Sequence, residues 1–203
     1  MEKQKINIAI VGLGYVGLPL AVELSKKYDV TGYDLDKTRV DELKSGIDKI
    51  DTFRSNNKKV LKKIKFTHSL KSIKSSNVYI ITVPTPVDKS NKPDLNPLIS
   101  ASRQISRVLS RNDIVIYEST VFPGCTEEIC VPILEEISSL KYNSEFFCGY
   151  SPERINPSDR EHTFTSVTKI VSGSNRETLD FVDMLYQSVV LAGTFRASSI
   201  KIA

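Results

Sequence analysis

Lys5-Ile6-Asn7-Ile8-Ala9-Ile10-Val11-Gly12-Leu13-Gly14-Tyr15-Val16-Gly17-Leu18-Pro19-Leu20-Ala21-Val22 joins an apolar run to a G-x-G-x-x-G array and then to an amphipathic segment. Three spaced glycines are a weak signal as a bare string, and their setting carries the reading. Directly after a strand and directly before a helix, the first glycine permits a tight turn, the second lets backbone approach a pyrophosphate, and the third lets helix pack on strand. The helix N-terminus then meets phosphate oxygens with free N–H groups and its positive dipole end. Asp34 closes the next apolar segment, 22 residues after Gly12. An acid there accepts hydrogen bonds from a ribose 2′-hydroxyl and repels a 2′-phosphate, so the pattern points to NAD over NADP. Lys37 and Arg39 argue the other way, because nearby cations accommodate a 2′-phosphate. A glycine turn that only packs helix on strand is the plainer reading, and Asp34 disfavours it.

Outward from this unit, apolar runs bounded by turn residues alternate with stretches of helical period along the whole chain. Strands are expected at Lys5–Val11, Asp29–Tyr33, Lys65–Thr67, Val78–Val83, Ile114–Glu118, Glu145–Gly149, Thr168–Ser172 and Val190–Phe195. Helices are expected at Tyr15–Lys27, Lys37–Ser45, Asn96–Leu109, Thr126–Leu140 and Arg176–Ser188, with N-caps at Asp36, at Asn96 or Asp94, and at Ser174 or Asn175. The fold class is therefore α/β: a Rossmann-like, doubly wound and mainly parallel sheet with helices on both faces, formed by residues 1–203 as one domain.

Composition agrees with that and narrows the function. The 203 residues are 40% hydrophobic and 26% charged, which is ordinary globular usage and excludes a disordered, collagen-like or disulfide-scaffold chain. A formal charge of +4 suits an anionic ligand and falls short of the basic stripe of a nucleic-acid binder. Lysines at 58, 59, 62, 63 and 65 read as a phosphate or nucleic-acid patch or, preferably, as a solvated helix face. Cys125, Cys130 and Cys148 form no C-x-x-C pair, so neither a disulfide framework nor a zinc site is signalled, and a reducing cytoplasm is expected. The uncharged run Ile6–Val22 superficially copies a signal peptide, but its glycines and Pro19 argue against one. Neither a membrane nor a nucleic-acid partner is expected.

Three more stretches follow strands and belong on the cleft side of such a sheet. Val83-Pro84-Thr85-Pro86 and Glu118-Ser119-Thr120-Val121-Phe122-Pro123-Gly124 close the fourth and fifth strands. Thr85 is placed to hold a ribose or a water, and Thr120 to do the same closer to the nicotinamide; prolines that merely end strands are the alternative. Glu153, in Ser151-Pro152-Glu153-Arg154, is either an acid/base group or half of an ordinary ion pair with Arg154, and spacing alone favours the pair.

With these residues assembled, the chain resembles the NAD-binding part of the UDP-glucose/GDP-mannose dehydrogenase family. The resemblance rests on G-L-G-Y-V-G-L-P-L-A at 12–21, G-Y-D at 32–34, V-P-T-P at 83–86, E-S-T-V-x-P-G at 118–124 and Y-S-P-E-R-I-N-P at 150–157. The last segment, with Lys169-Ile170-Val171-Ser172-Gly173, is similar to the branch that oxidises UDP-N-acetylhexosamines for surface polysaccharides; Ser158 departs from the glycine usual there. The resemblance implies oxidation of a sugar C6 hydroxymethyl group to a carboxylate with two NAD⁺, through cysteine-bound intermediates. It implies that Gly12, Gly14, Tyr15, Val16 and Gly17 hold the pyrophosphate, that Asp34 and Arg39 sit at the adenosine end, that Thr85 and Thr120 line the cofactor and reaction cleft, and that Glu153 lies beside the reacting sugar. Thr120 and Glu153 are thus the expected catalytic residues.

The same resemblance implies a longer, homodimeric protein whose nucleophile sits in a Gly-x-Cys-x-x-x-Asp segment. No such segment occurs in residues 1–203, so the dimerisation helix and sugar-binding half are expected to be absent and the chain to bind NAD(H) without turnover. The competing expectation is a stand-alone NAD(H) sensor or interaction module, which has no use for Glu118–Gly124 or Ser151–Pro157.

Overall fold

The computed structural model describes residues 5–50, 58–87, 89–90, 92–153 and 165–203. Strands β1 (Asn7–Val11), β2 (Asp29–Tyr33), β3 (Lys65–Thr67), β4 (Val78–Ile81), β5 (Ile114–Tyr117), β6 (Phe147–Tyr150), β7 (Lys169–Gly173) and β8 (Thr194–Arg196) form one sheet. Their order is β3-β2-β1-β4-β5-β6-β7-β8. The first six are parallel, in the 3-2-1-4-5-6 arrangement of doubly wound dinucleotide-binding folds. β7 then runs antiparallel to β6, and β8 parallel to β7.

The helices are α1 (Gly17–Leu24), α2 (Lys37–Lys44), α3 (Lys58–Leu61), α4 (Asn96–Ser106), α5 (Val131–Ser138) and α6 (Arg176–Gln187). Because both faces of the sheet are covered, the central strands β1, β4 and β5 are apolar at every position after Asn7, the first residue of β1. Ile8 and Ile10 of β1 and Val78 and Ile80 of β4 point into a core shared with α1, α2 and α6. Ala9, Val11, Tyr79 and Ile81 point the other way, into a core shared with α4 and α5. The stretch Ile6–Val22 is thus a buried strand, a turn and a helix.

Local chemistry sets the element ends. The Asp36 carboxylate accepts the Thr38 N–H at 2.8 Å and starts α2, and the Asn175 side chain accepts the Thr178 N–H at 2.8 Å and starts α6. Leu95, not Asn96 or Asp94, is the N-cap of α4, while Asp94 accepts the Asn96 N–H at 2.9 Å. The helix expected over Thr126–Leu140 begins instead with a π-helical turn at Thr126–Cys130 and becomes α-helical from Val131. Pro132 explains the wide turn: it has no N–H, and its ring clashes with the carbonyl four residues back in regular helix. Strand β6 starts at Phe147 because Lys141–Phe146 forms a tight turn with Asn143 at φ 58°. Strand β8 starts at Thr194, after a turn in which Gly193 takes φ 79°. The strands expected to reach Val83 and Glu118 end at Ile81 and Tyr117, where the chain leaves the sheet for the cleft.

Candidate cofactor-binding site

The turn after β1 is built as the glycine spacing requires. Gly12 takes φ +97° and donates its N–H to the Tyr33 carbonyl at 2.9 Å. A Cβ on Gly17 would fall 1.9 Å from the Gly12 carbonyl oxygen and 2.4 Å from Thr82 Oγ1, so only glycine lets α1 pack this closely on the strand. A Cβ on Gly14 would meet nothing within 4 Å; it would stand in open space above the turn. No side chain caps the N-terminus of α1 at Val16, so that end of the helix faces the space above Gly14 with its own dipole. The Thr82 hydroxyl, which sequence reasoning passed over, donates within reach of two carbonyls, Val11 at 3.1 Å and Gly12 at 2.7 Å, and ties the turn to β4.

From this turn a cleft of about 380 Å³ runs along the carboxyl ends of the strands. It is lined by Gly12, Gly14, Tyr15, Val16, Asp34, Arg39, Thr85, Thr120 and Glu153, together with Glu118 and Ser119. Gly17 lies beneath it, in the packing of α1. A larger hollow of about 430 Å³ around Tyr142, Ser174, Arg176 and Arg196 contains none of these residues.

At one end of the cleft, Asp34 braces the turn, accepting the Leu13 N–H at 2.7 Å and the Asp36 N–H at 2.9 Å. Arg39 is buried beside it. Its Nε donates to the Leu13 carbonyl at 3.0 Å, and Nη2 lies 2.7 Å from Asp48 Oδ1 without the alignment of a hydrogen bond. Nη1 is buried with no hydrogen-bond partner among the described residues. A buried donor of this kind suits an acceptor on a bound ligand. With Asp48 beside it, the guanidinium is less disposed to take a 2′-phosphate than its bare charge suggests.

At the other end, hydroxyls stitch the strand termini together: Thr85 donates to the Thr120 carbonyl at 2.7 Å and Ser119 to the Val83 carbonyl at 2.6 Å. Thr120 itself is exposed to the cleft. Behind this rim lies a buried ionic cluster. Lys169 Nζ sits 2.7 Å from Glu118 Oε2 and 3.0 Å from Glu153 Oε2, and it donates to the Pro152 carbonyl at 3.3 Å. The Tyr186 hydroxyl donates to Glu118 Oε1. Burial raises the pKa of Glu118, against the opposing pull of Lys169 and with a further push from Glu153. Burial, with Glu118 next to it, raises Tyr186 well above the usual phenol range. Glu153 therefore has Lys169 as a partner; Arg154, the partner expected from spacing, lies outside the described residues, as do Ile155–Ser158. Lys169 stands in a segment that carries the family resemblance, but nothing in the sequence marked its contact with Glu118 and Glu153, because that approach depends on β7 running antiparallel to β6. That direction carries the first residue of β7 to the ends of β5 and β6 where Glu118 and Glu153 stand.

The three cysteines are buried and unbridged. A hydrogen bond from Cys130 lowers the pKa of Cys125, but Cys125 is 1% exposed and offers no accessible sulfur. Burial pushes the Cys148 thiol up, and the Glu127 and Glu135 carboxylates add to the effect. Among the described residues there is no cluster of metal-ligating side chains, and no helix is long and apolar enough to cross a membrane.

A cleft at the point where strand order reverses between β1 and β4, above an uncapped and open glycine turn, defines a dinucleotide-binding domain of the dehydrogenase type. Residues 6–190 match the model of the UDP-glucose/GDP-mannose dehydrogenase family, NAD binding domain. The chain belongs to that family, and its cofactor is NAD. It is 52% identical over 198 residues to UDP-N-acetyl-D-glucosamine 6-dehydrogenase of Pseudomonas aeruginosa, covering 98% of this chain and 47% of that protein. Protein CapL of Staphylococcus aureus is 51% identical over 197 residues, covering 97% of this chain and 46% of CapL. The solved structure of UDP-D-ManNAc dehydrogenase from Pyrococcus horikoshii superposes with a TM-score of 0.87 at 32% identity, over 97% of this chain and 48% of that one. The chain spans about half the length of the curated relatives it matches.

Proposed function

We propose that residues 1–203 are the cofactor domain of a UDP-N-acetylhexosamine 6-dehydrogenase that oxidises the sugar C6 hydroxyl to a carboxylate for surface polysaccharide synthesis in the cytoplasm. The observation that carries this reading is the continuity of the cleft: the glycine turn and Asp34 open into the same space as Thr120, Glu118 and Glu153. A module that only sensed NAD(H) has no need of the second set. NAD⁺ supplies a hydride acceptor when bound; the chain supplies its cradle and orientation.

In this reading the N-terminus of α1 and the backbone at Gly12, Gly14, Tyr15 and Val16 hold the pyrophosphate, and Gly17 keeps the helix close enough for them to do so. Asp34 accepts from the adenosine ribose hydroxyls, and Arg39 Nη1 finds its acceptor there. Thr85 and Thr120 orient the second nucleotide half. Glu153, fixed from behind by Lys169, accepts a proton from the reacting sugar or orders water against it. The sugar-binding surface, the nucleophilic cysteine and the dimer contact belong to the part of such a protein that residues 1–203 do not include. The buried state of Cys125, Cys130 and Cys148 supports this division.

Two observations test the proposal. Incubated with UDP-N-acetylglucosamine and NAD⁺, this chain makes no NADH; steady production would overturn the assignment of the nucleophile elsewhere. The gene beyond codon 203 continues in frame to a Gly-x-Cys-x-x-x-Asp segment; a stop codon there would favour the stand-alone sensor.

A further inference from the structure

The ionic cluster at the inner end of the cleft is built to hold one carboxylate still. Glu153 lines the cleft, and its side chain is 10% exposed. Lys169 pins it from behind and is itself held by Glu118, whose side chain is fully buried, and by the Pro152 carbonyl. The Tyr186 hydroxyl fixes the other oxygen of Glu118, and Lys169 Nζ lies 5.7 Å from the centre of the Tyr186 ring. Four side chains from β7, α6 and the segments that follow β5 and β6 thus converge to place a fixed negative charge at a water-poor wall. An arrangement of this kind is expensive to bury, because each ion must give up its hydration. Between Glu153 and the glycine turn the cleft is lined by neutral groups such as Thr82, Pro84, Thr85, Ser119 and Thr120, and charged side chains recur only at the other end, at Asp34, Asp36 and Arg39.

The two halves of a dinucleotide lie on the two sides of the strand-order switch. With Asp34 at the ribose of the adenosine half, the nicotinamide half falls toward β4, β5 and β6, the side that carries Glu153. The nicotinamide ring has a formal positive charge when oxidised and none when reduced, while the rest of the cofactor is unchanged. A fixed carboxylate near that ring therefore acts on one redox state only.

We propose that Glu153, held in place by Lys169, determines which redox state of the cofactor the cleft prefers, binding NAD⁺ more tightly than NADH and so favouring departure of the reduced form. This inference rests on the cofactor placement of the proposed function. A unit charge about 10 Å from the ring, at the effective dielectric of a protein site, changes the NAD⁺ to NADH affinity ratio by about tenfold.

Isothermal titration of the 203-residue chain with NAD⁺, NADH and ADP-ribose tests it. ADP-ribose lacks the nicotinamide and reports on the turn, Asp34 and the integrity of the fold. Wild type binds NAD⁺ more tightly than NADH. Glu153→Gln lowers that preference by about tenfold and leaves ADP-ribose affinity within about twofold. Glu118→Gln, which removes a carboxylate farther from the ring and leaves Lys169 to neutralise Glu153, lowers the preference in the same direction. Retention of the wild-type preference by Glu153→Gln, with ADP-ribose binding intact, would overturn the inference and leave the cofactor reading standing. Failure of the wild-type chain to bind any of the three ligands would overturn both.

Discussion

Replacing either of two glycines in the same turn by alanine separates folding from binding. In Gly17→Ala the new Cβ would lie 1.9 Å from the Gly12 carbonyl oxygen and 2.4 Å from Thr82 Oγ1. The first of these is backbone, so α1 must lift from β1, and the buried Leu18, Leu20 and Leu24 must move with it. Overpacking against backbone costs about 3 kcal/mol at this severity. For a chain of this size that lowers the melting temperature by about 6–12 °C. Gly14→Ala meets no atom within 4 Å, so its stability changes by less than about 1 kcal/mol, and in the stabilising direction if the unfolded chain dominates. Its methyl group occupies the space where backbone and pyrophosphate must meet, which weakens NAD⁺ binding by about tenfold or more. Circular dichroism melts and calorimetric titration with NAD⁺ read both effects. A Gly17→Ala chain that melts with wild type, or a Gly14→Ala chain that binds NAD⁺ as tightly as wild type, would refute the assignment of the two glycines.

Further outcomes follow from the same geometry. Asp34→Asn keeps an acceptor for the Leu13 N–H but removes the charge that repels a 2′-phosphate, so the preference for NAD⁺ over NADP⁺ in paired titrations narrows by about tenfold. Tyr186→Phe deprives a buried carboxylate of a hydrogen bond and costs about 2 kcal/mol, measured by chemical denaturation. Burial pushes the Asp113 carboxyl up to about 6, opposed by its bond from the Ser110 N–H. Because its folded pKa exceeds its unfolded value, the folded state holds this proton longer than the unfolded state does. Stability is therefore lost as pH rises from about 4 through 6. Asp113→Asn removes that loss, so its stability relative to wild type rises by about 2 kcal/mol across this window in denaturant titrations at successive pH values.

The parts of the site that the sequence announces are those whose geometry is local. Gly12, Gly14 and Gly17 act within one turn, and the strand and helix around them are legible from periodicity alone. Asp34 stands at a distance along the chain that the βαβ unit fixes. Thr85, Thr120 and Glu153 come together in one cleft because each follows a parallel strand closely, and the carboxyl ends of parallel strands share one edge of the sheet. What the sequence conceals comes from contacts between distant segments. Lys169 reaches Glu118 across 51 residues, and it does so through the reversal of β7, which apolar patterning cannot reveal. The buried position of Arg39 against the Leu13 carbonyl is hidden for the same reason, since a short basic helix reads as solvated. The π-helical turn at Thr126–Cys130 is a local effect, of Pro132, but the hydrophobic period on either side of it masks the change of pitch.

The central claim is that this chain is an NAD-specific cofactor domain, and titration of the chain with NAD⁺ and then with NADP⁺ tests it most directly. The account predicts one site per chain and tighter binding of NAD⁺, with Asp34 the cause. Equal or tighter binding of NADP⁺, or no binding of either nucleotide, would contradict it.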